Sequence, residues 1–251
     1  RSPSRGLGDV YKRQEIMKQR IIIIGGMEPQ ASLELHRRMI QQALADGAKD
    51  GTDFPHIVHL SLPVPDFIAN ESRRSEALEI IINELKNIDA SMDDVIIIAC
   101  NTAHLLQPDI EQRLNIRITS MVDAAIDYVS RHYKTIRLLA SPTTIRTGLY
   151  DRPLKAAGVT VLTPDKDEEQ ALEVIIRAVI SDQAIPQSVL DKIPITTQSE
   201  QANAVNYINN CPSSPPVLLG CTELSCAFAE KPNTIDPINI LLRYLTIKGV
   251  L

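Results

Sequence analysis

The feature that most constrains the fold of this chain is a set of short, uninterrupted Ile, Val and Leu runs. RIIIIG at residues 20–25 and VIIIA at residues 95–99 are examples. A strand with one face in water alternates apolar and polar side chains, and these runs do not. Strands of this kind are buried on both faces, as in a parallel sheet. Parallel neighbours need a long crossover, which is usually a helix, so the runs predict an α/β chain.

Amphipathic stretches of helical length separate the apolar runs, which is typical of βαβ units. We predict strands at residues 20–25, 56–62, 95–99, 117–121, 136–140, 159–163 and 217–220. We predict helices at residues 31–48, 72–87, 105–114, 122–132, 145–157, 168–180, 199–209 and 237–248. The predicted fold class is α/β, with open parallel sheets flanked by helices.

The order of elements repeats in the two halves of the chain. Each half opens with a strand that runs into a loop and a helix, through GGMEP at 25–29 and SPTT at 141–144. Each half closes with a strand that ends in a cysteine, 75 residues after Gly25 in the first half and 80 after Ser141 in the second. The repeat predicts two pseudo-symmetric lobes. Because open α/β sheets bind ligands at the carboxyl ends of their strands, one shared cleft between the lobes is expected.

Cys100 and Cys221 are the two cysteines that close these halves, in VIIIACNTAH and VLLGCTEL. At such a position, backbone N–H groups and the helix dipole favour the thiolate and lower the pKa of a thiol. A single cysteine of this kind is as often a small core residue. Two of them, each followed by polar residues, predict a pair of facing proton-transfer groups.

Other polar residues fall near the same edge of the sheets, each with a plainer alternative. Asp66 follows the second strand and should face the cleft, although aspartate is also an ordinary turn residue. His104 could tune the Cys100 thiol or only cap the turn. Glu223 lies in the first turn of a helix, where an acid is favourable because of the dipole alone.

Composition and charge narrow the classes of function. The net charge of −5 offers no basic excess for nucleic acid, and no apolar run is long enough to cross a bilayer. The four cysteines form neither a disulfide framework nor a C-x₂-C zinc pattern, which favours a cytoplasmic protein. Residues 1–16 are polar and unlike a signal peptide, so we expect a non-native leader and a natural start at Met17.

Five motifs occur in the order IIIIGGMEPQAS, SLPVPD, ACNTAH, RTGLY and LGCTEL. Together they resemble the aspartate/glutamate racemase family, whose members need no pyridoxal phosphate. The resemblance extends from Met17 to the C-terminus. It implies two α/β lobes, 17–117 plus 229–251 and 118–228, with the active site between them and the C-terminal helix packed on the first lobe. It also implies a small acidic amino acid as substrate and no cofactor or metal, and a homodimer would be unsurprising in this family.

The resemblance implies that Cys100 and Cys221 are the two catalytic acid/bases. One would remove the Cα proton as thiolate while the other returns a proton as thiol. The residues expected to bind the substrate are Met27, Asp66, Asn101, Thr102, Thr222 and Glu223.

Two departures from the family pattern bear on the substrate. Phe67 stands directly after the PD of SLPVPD, where relatives that act on aspartate usually carry arginine. Glu28 stands where most relatives have glycine. Two alternatives therefore stay open. One is a decarboxylase or a cis–trans isomerase of a dicarboxylic acid, and the other is a carboxylate-binding protein without turnover.

Overall fold

Two parallel sheets form the framework of the protein in a computed structural model, which describes residues 19–65, 67, 71–193, 195, 215–228 and 231–251. The first sheet has the order β2-β1-β3 and the second the order β5-β4-β6-β7. All neighbouring strands in both sheets are parallel. The strands are β1 (Ile21–Gly25), β2 (Ile57–Ser61), β3 (Val95–Ile98), β4 (Thr135–Leu139), β5 (Thr160–Leu162), β6 (Val217–Leu219) and β7 (Thr234–Ile235). The predicted α/β fold class is confirmed.

Helices lie between the strands and begin where the sequence provides caps. Ser120, Ser141, Asp165 and Asp236 each accept a hydrogen bond from a backbone N–H in the first turn of the helix that follows. The helices are α1 (Pro29–Ala45), α2 (Arg74–Asn87), α3 (Gln107–Leu114), α4 (Met121–His132), α5 (Pro142–Thr147), α6 (Asp151–Ala156), α7 (Lys166–Ile180), α8 (Gln187–Leu190), α9 (Thr222–Phe228) and α10 (Pro237–Ile247). Within the described ranges, no helix is long and apolar enough to cross a membrane.

The isoleucine run of β1 is completely buried, as a strand in the middle of a parallel sheet should be. Ile22 and Ile24 pack into an apolar cluster with α2 on one face of the first sheet. Ile21 and Ile23 lie in a second cluster, which also contains Leu138 of the second sheet. The two sheets therefore share one apolar core. Each fully buried side chain of this size contributes about 1.5–3 kcal/mol, which fixes the lobes against each other.

Most predicted elements have a counterpart, and the exceptions have local causes. The predicted strand at 117–121 is wrong, because Ser120 caps α4 and only Ile118 forms a bridge, to Ile96 of β3. The predicted helix at 145–157 is two helices, since Gly148 adopts φ +67° and ends α5. The short elements α8 and β7 were not predicted, and α9 is the helix expected after Cys221, for which no range was given. The predicted helix at 199–209 lies outside the described residues.

The C-terminal segment joins both parts of the molecule. β7 pairs with β6 in the second sheet, and α10 packs mainly on α4 and also contacts α1. The sequence prediction placed residues 229–251 with the first lobe. Within residues 229–251, however, β7 belongs to the second sheet. The division of the chain into lobes at residues 117, 118, 228 and 229 stays a prediction.

Candidate active site

Loops from the carboxyl ends of both sheets surround one cavity of about 240 Å³. The loops after β1 and β3 come from the first sheet, and those after β4 and β6 come from the second. This is where open parallel sheets place their ligand sites. The lining consists of Met27, Glu28, Val64, Pro65, Phe67, Cys100, Asn101, Thr102, Ser141, Thr143, Ile176, Cys221, Thr222 and Glu223.

Both cysteines and most of the predicted binding residues lie in this lining. The structure brings together Cys100, Cys221, Met27, Asn101, Thr102, Thr222 and Glu223. Asp66 lies outside the described residues, and its neighbours Pro65 and Phe67 line the cavity. Sequence reasoning did not select Ser141 and Thr143 as site residues, although their loop was recognised as the opening of the second half. No sequence signal pointed to Ile176, which projects from α7.

The Cys100 loop is held by the His104 side chain, which bonds the backbone of the loop and not the sulfur atom. His104 Nδ1 lies 2.9 Å from the carbonyl oxygen of Cys100 and 3.2 Å from that of Asn101. A carbonyl only accepts, so Nδ1 carries the proton and donates. Burial lowers the pKa of His104, which keeps the ring neutral. Of the two readings of His104, the structure supports the capping one.

The pKa of the Cys100 thiol is raised well above its ordinary value. Burial is the largest cause, and the negative charges of Glu28 and Glu223 add to it. The backbone N–H groups of Ala103 and Thr102 act in the opposite direction and lower this pKa. The effect expected from the start of a helix is therefore present, but burial and the two carboxylates outweigh it.

Cys221 has a carboxylate directly at its sulfur. Its thiol donates a hydrogen bond to Glu223 Oε2 at 2.7 Å, and the Thr222 hydroxyl donates to Glu223 Oε1 at 3.3 Å. Burial raises the pKa of Cys221 most, followed by the charges of Glu223 and Glu28 and the hydrogen bond to Glu223. Because the thiol form can donate to a carboxylate and the thiolate cannot, this contact holds Cys221 in its protonated form.

Asn101 connects the two cysteine loops across the lobes. Its amide oxygen accepts from the backbone N–H groups of Cys221 and Thr222, both at 3.2 Å, and its Nδ2 donates to Tyr150 Oη at 2.6 Å. This orientation follows because a backbone N–H can only donate. Tyr150 is completely buried, as is nearly all of Asn101. In the structure, the Asn101 amide holds the backbone of the Cys221 loop. Its contact with a substrate carboxylate stays a prediction.

A buried polar cluster holds α9 from behind. Asp236, which caps α10, accepts hydrogen bonds from Ser225 Oγ at 2.8 Å and from the backbone N–H of Ile238 at 2.9 Å. It also forms an ion pair with Arg38 of α1, and both side chains are largely buried. Ser225 lies on α9, the helix that begins directly after Cys221. The cluster therefore ties the Cys221 loop to the first lobe.

A larger groove of about 790 Å³ lies between α1, α9 and the C-terminal segment, and contains none of the predicted site residues. Arg38 and Cys226 are part of its lining. Glu34 and Lys231 also line this groove. Among the described residues, no three His, Cys, Asp or Glu side chains are placed to hold a metal ion.

The fold and the site together define a class of protein: two α/β lobes that each contribute one thiol to a shared cavity. The family described as Asp/Glu/Hydantoin racemase matches residues 24–245, and the chain belongs to this family. It is therefore a racemase, an enzyme of the isomerase class, which confirms the family resemblance found in the motifs. The broad specificity amino-acid racemase RacX of Bacillus subtilis (strain 168) is 28% identical over 159 residues, which cover 62% of this chain and 69% of that protein.

Solved structures share the fold. An aspartate racemase of Picrophilus torridus has a TM-score of 0.69 at 22% identity, with 92% of this chain and 94% of that chain covered. An aspartate racemase homologue from Pyrococcus horikoshii OT3 has a TM-score of 0.67 at 22% identity, with 93% and 99% covered. At this level of identity, the likeness shows the two-lobed fold and leaves the substrate open.

Proposed function

We propose that this protein racemises an α-amino acid by proton transfer at Cα between Cys100 and Cys221, without pyridoxal phosphate. The observation that carries the proposal is that the two thiols line one cavity from the ends of two different sheets. One thiolate takes the Cα proton, and the electron pair of the C–H bond passes into a planar carbanion. The other thiol then gives its proton to the opposite face and becomes the thiolate.

Because the pKa values of both thiols are raised, we infer that the positive charge of the substrate helps to form the thiolate. Burial and two carboxylates disfavour a thiolate in the cavity. The α-ammonium group of an amino acid brings a positive charge, which lowers the pKa of a nearby thiol. When substrate is bound, the thiol that acts as base therefore loses its proton to water and becomes the thiolate, and the same positive charge favours the carbanion at Cα.

The α-carboxylate has a polar part of the lining to bind. The hydroxyl-bearing residues Thr102, Ser141, Thr143 and Thr222 line the cavity at loops where helices begin. Hydroxyl groups and unpaired N–H groups at such loops hold a carboxylate and stabilise the negative charge that develops on it during proton removal.

The family resemblance predicts aspartate or glutamate as substrate and a D-amino acid as product, and it is compatible with a homodimer. The cysteine pattern favours a cytoplasmic location. The relative from Bacillus subtilis is named for broad specificity, which supports testing many amino acids rather than two. The reaction at Cα is the same for all of them, so it can be tested before the substrate is settled.

The test is incubation of the purified protein in D₂O with a panel of L-amino acids. We expect the D-enantiomer by chiral chromatography, with deuterium at Cα by NMR. Loss of CO₂ would indicate a decarboxylase. In a parallel incubation with an unsaturated dicarboxylic acid, isomerisation of that acid would indicate a cis–trans isomerase. Binding without exchange would indicate a carboxylate-binding protein. Each of these three outcomes contradicts the proposal.

The chain offers a matched control for the cysteines. Cys226 is exposed and lies in the groove outside the cavity. Cys100→Ala and Cys221→Ala should each lose racemisation, whereas Cys226→Ala should retain it. Full activity in all three variants would exclude the two-thiol mechanism.

A further inference from the structure

The charged side chains that line the cavity are all negative among the described residues. Glu28 and Glu223 line it, and no Lys, Arg or His is among the described lining residues. Beyond residue 18, the residues outside the described ranges also contain no Lys, Arg or His. A cation that could neutralise a second substrate carboxylate would therefore have to come from residues 1–18 or from a side chain that does not line the cavity.

Apart from Glu28 and the loop of Cys100, Asn101 and Thr102, the lining on the first-lobe side is apolar. Met27, Val64, Pro65 and Phe67 form this part, and Ile176 faces it from the second lobe. Phe67 is only 7% exposed and packs in the same apolar cluster as Cys100. The side chain at the position where an acidic substrate would need a cation is thus a buried aromatic ring that lines the same cavity as the two thiols.

We propose that the cavity takes an α-amino acid whose side chain is an aliphatic or thioether chain without a carboxylate, and that Phe67 and Glu28 determine this preference. The inference rests on the proposed racemase function and names its substrate class. An amino acid has one α-carboxylate and one α-ammonium, which balance each other and match the hydroxyl groups and the carboxylates of the lining. A second carboxylate would lie against Phe67 and two like charges, where it loses water and gains no partner.

The size of the cavity agrees with a single small amino acid. Its volume of about 240 Å³ is below the range of roughly 300–1,000 Å³ typical of sites for drug-sized ligands. A chain of three or four carbons can lie on the apolar wall while Cα stays between the thiols.

The test compares kcat/KM for five L-amino acids with the wild-type protein. Leucine and methionine have neutral chains, lysine has an aliphatic stem with a cationic end, and aspartate and glutamate are acidic. We expect the best non-acidic substrate to exceed both acidic ones by about a hundredfold or more, because like charges brought together without solvent cost several kcal/mol. Aspartate or glutamate within about tenfold of the best substrate would overturn the inference.

Two variants and one control test the named residues. Phe67→Arg should raise kcat/KM for aspartate and glutamate relative to methionine, whereas Phe67→Leu should keep the wild-type order. Glu28→Gln should reduce the discrimination against acidic substrates by removing one like charge. An unchanged order of substrates in both Phe67→Arg and Glu28→Gln, each shown to be folded by its thermal transition, would contradict the role of these residues.

Failure of the racemase proposal is distinguishable from failure of this inference. If no amino acid is racemised, the proposed reaction is wrong, and calorimetric binding of the same five amino acids still tests the preference. Tighter binding of methionine than of glutamate would support it, and the reverse would overturn it. If glutamate is racemised best, the reaction stands and the inferred substrate class is wrong.

Discussion

The two cysteine loops occupy equivalent positions in the repeat, yet they surround their sulfur atoms differently. Near Cys100, the backbone N–H groups of Ala103 and Thr102 lower the pKa of the thiol, against a larger effect of burial. Near Cys221, the thiol donates directly to Glu223, which favours the protonated form. We infer that the two proposed bases are not equivalent. Cys221 is held ready as an acid, and Cys100 is the thiol better placed to become the base.

The loops are different but not independent. The Asn101 side chain, next to Cys100 in the chain, accepts from the backbone N–H of Cys221. A second contact between the lobes joins the Thr102 and Thr144 hydroxyl groups at 3.2 Å. Movement of one loop therefore affects the bonds of the other, and the comparison can be tested by cutting one connection at a time.

The largest expected effect comes from the cluster behind the Cys221 loop. Asp236→Asn removes the largely buried carboxylate that pairs with Arg38 and leaves Glu34 as the remaining carboxylate partner of this guanidinium. Breaking a buried pair costs about 3–5 kcal/mol, and the free energy of unfolding in urea measures this cost. Arg131→Gln is the control, because Arg131 forms an exposed pair with Asp127 and its loss should cost about 1 kcal/mol or less. Equal destabilisation by the two variants would contradict the importance of the buried cluster.

A smaller effect is expected when the bridge between the loops is cut. Asn101→Ala removes the one amide oxygen that the backbone N–H groups of Cys221 and Thr222 share as acceptor, which costs about 1–3 kcal/mol. Tyr150→Phe removes only the hydroxyl group that accepts from Asn101 and should be milder. Thermal unfolding and kcat, measured on both variants, check this order.

The same pair of variants separates two roles of Asn101. If Asn101 served only to bind the substrate carboxylate, Asn101→Ala would raise KM and leave the free energy of unfolding unchanged. That result would contradict the structural role assigned to its amide.

The smallest and most selective effects concern the pKa of each thiol. Removal of a nearby negative charge favours the thiolate, so both Glu223→Gln and Glu28→Gln should lower the thiol pKa values. Glu223 has the larger effect of the two charges on Cys221, and Glu28 has the larger effect on Cys100. Glu223→Gln should therefore lower the pKa of Cys221 more, and Glu28→Gln that of Cys100.

The measurement is the pH dependence of alkylation by iodoacetamide, resolved for each cysteine by mass spectrometry in a Cys226→Ala background. Equal changes at both thiols in both variants would show that the two loops are electrostatically equivalent.

Local patterns were sufficient to predict the fold class and the position of the two cysteines. The uninterrupted isoleucine run of β1 indicates burial on both faces, and strand ends in parallel sheets meet at one edge. The error at 117–121 shows the limit of such patterns, because its β-branched residues favour a strand while Ser120 caps a helix. Local propensity could not decide between a strand and a helix at these residues. The packing of Met121 and Val122 in the shared core favours the helix.

Contacts between distant residues could not be predicted from one sequence. The bridge from Asn101 to Tyr150 depends on how the lobes pack, and neither residue carries a local signal for it. The direction of the thiol pKa shifts was also missed. The start of a helix predicts a lowered pKa, but the degree of burial that reverses the outcome is a property of the folded chain.

The central claim is that Cys100 and Cys221 act on opposite faces of one substrate. The most direct test is Cα-proton exchange in D₂O by Cys100→Ala and Cys221→Ala, each supplied separately with the L- and the D-enantiomer. Loss of one acid/base should lower racemisation by about a hundredfold to ten-thousandfold. We predict that each variant still exchanges the Cα proton of one enantiomer without inversion, and that the two variants act on opposite enantiomers. Exchange of the same enantiomer by both variants, or racemisation by either at the wild-type rate, would contradict the account.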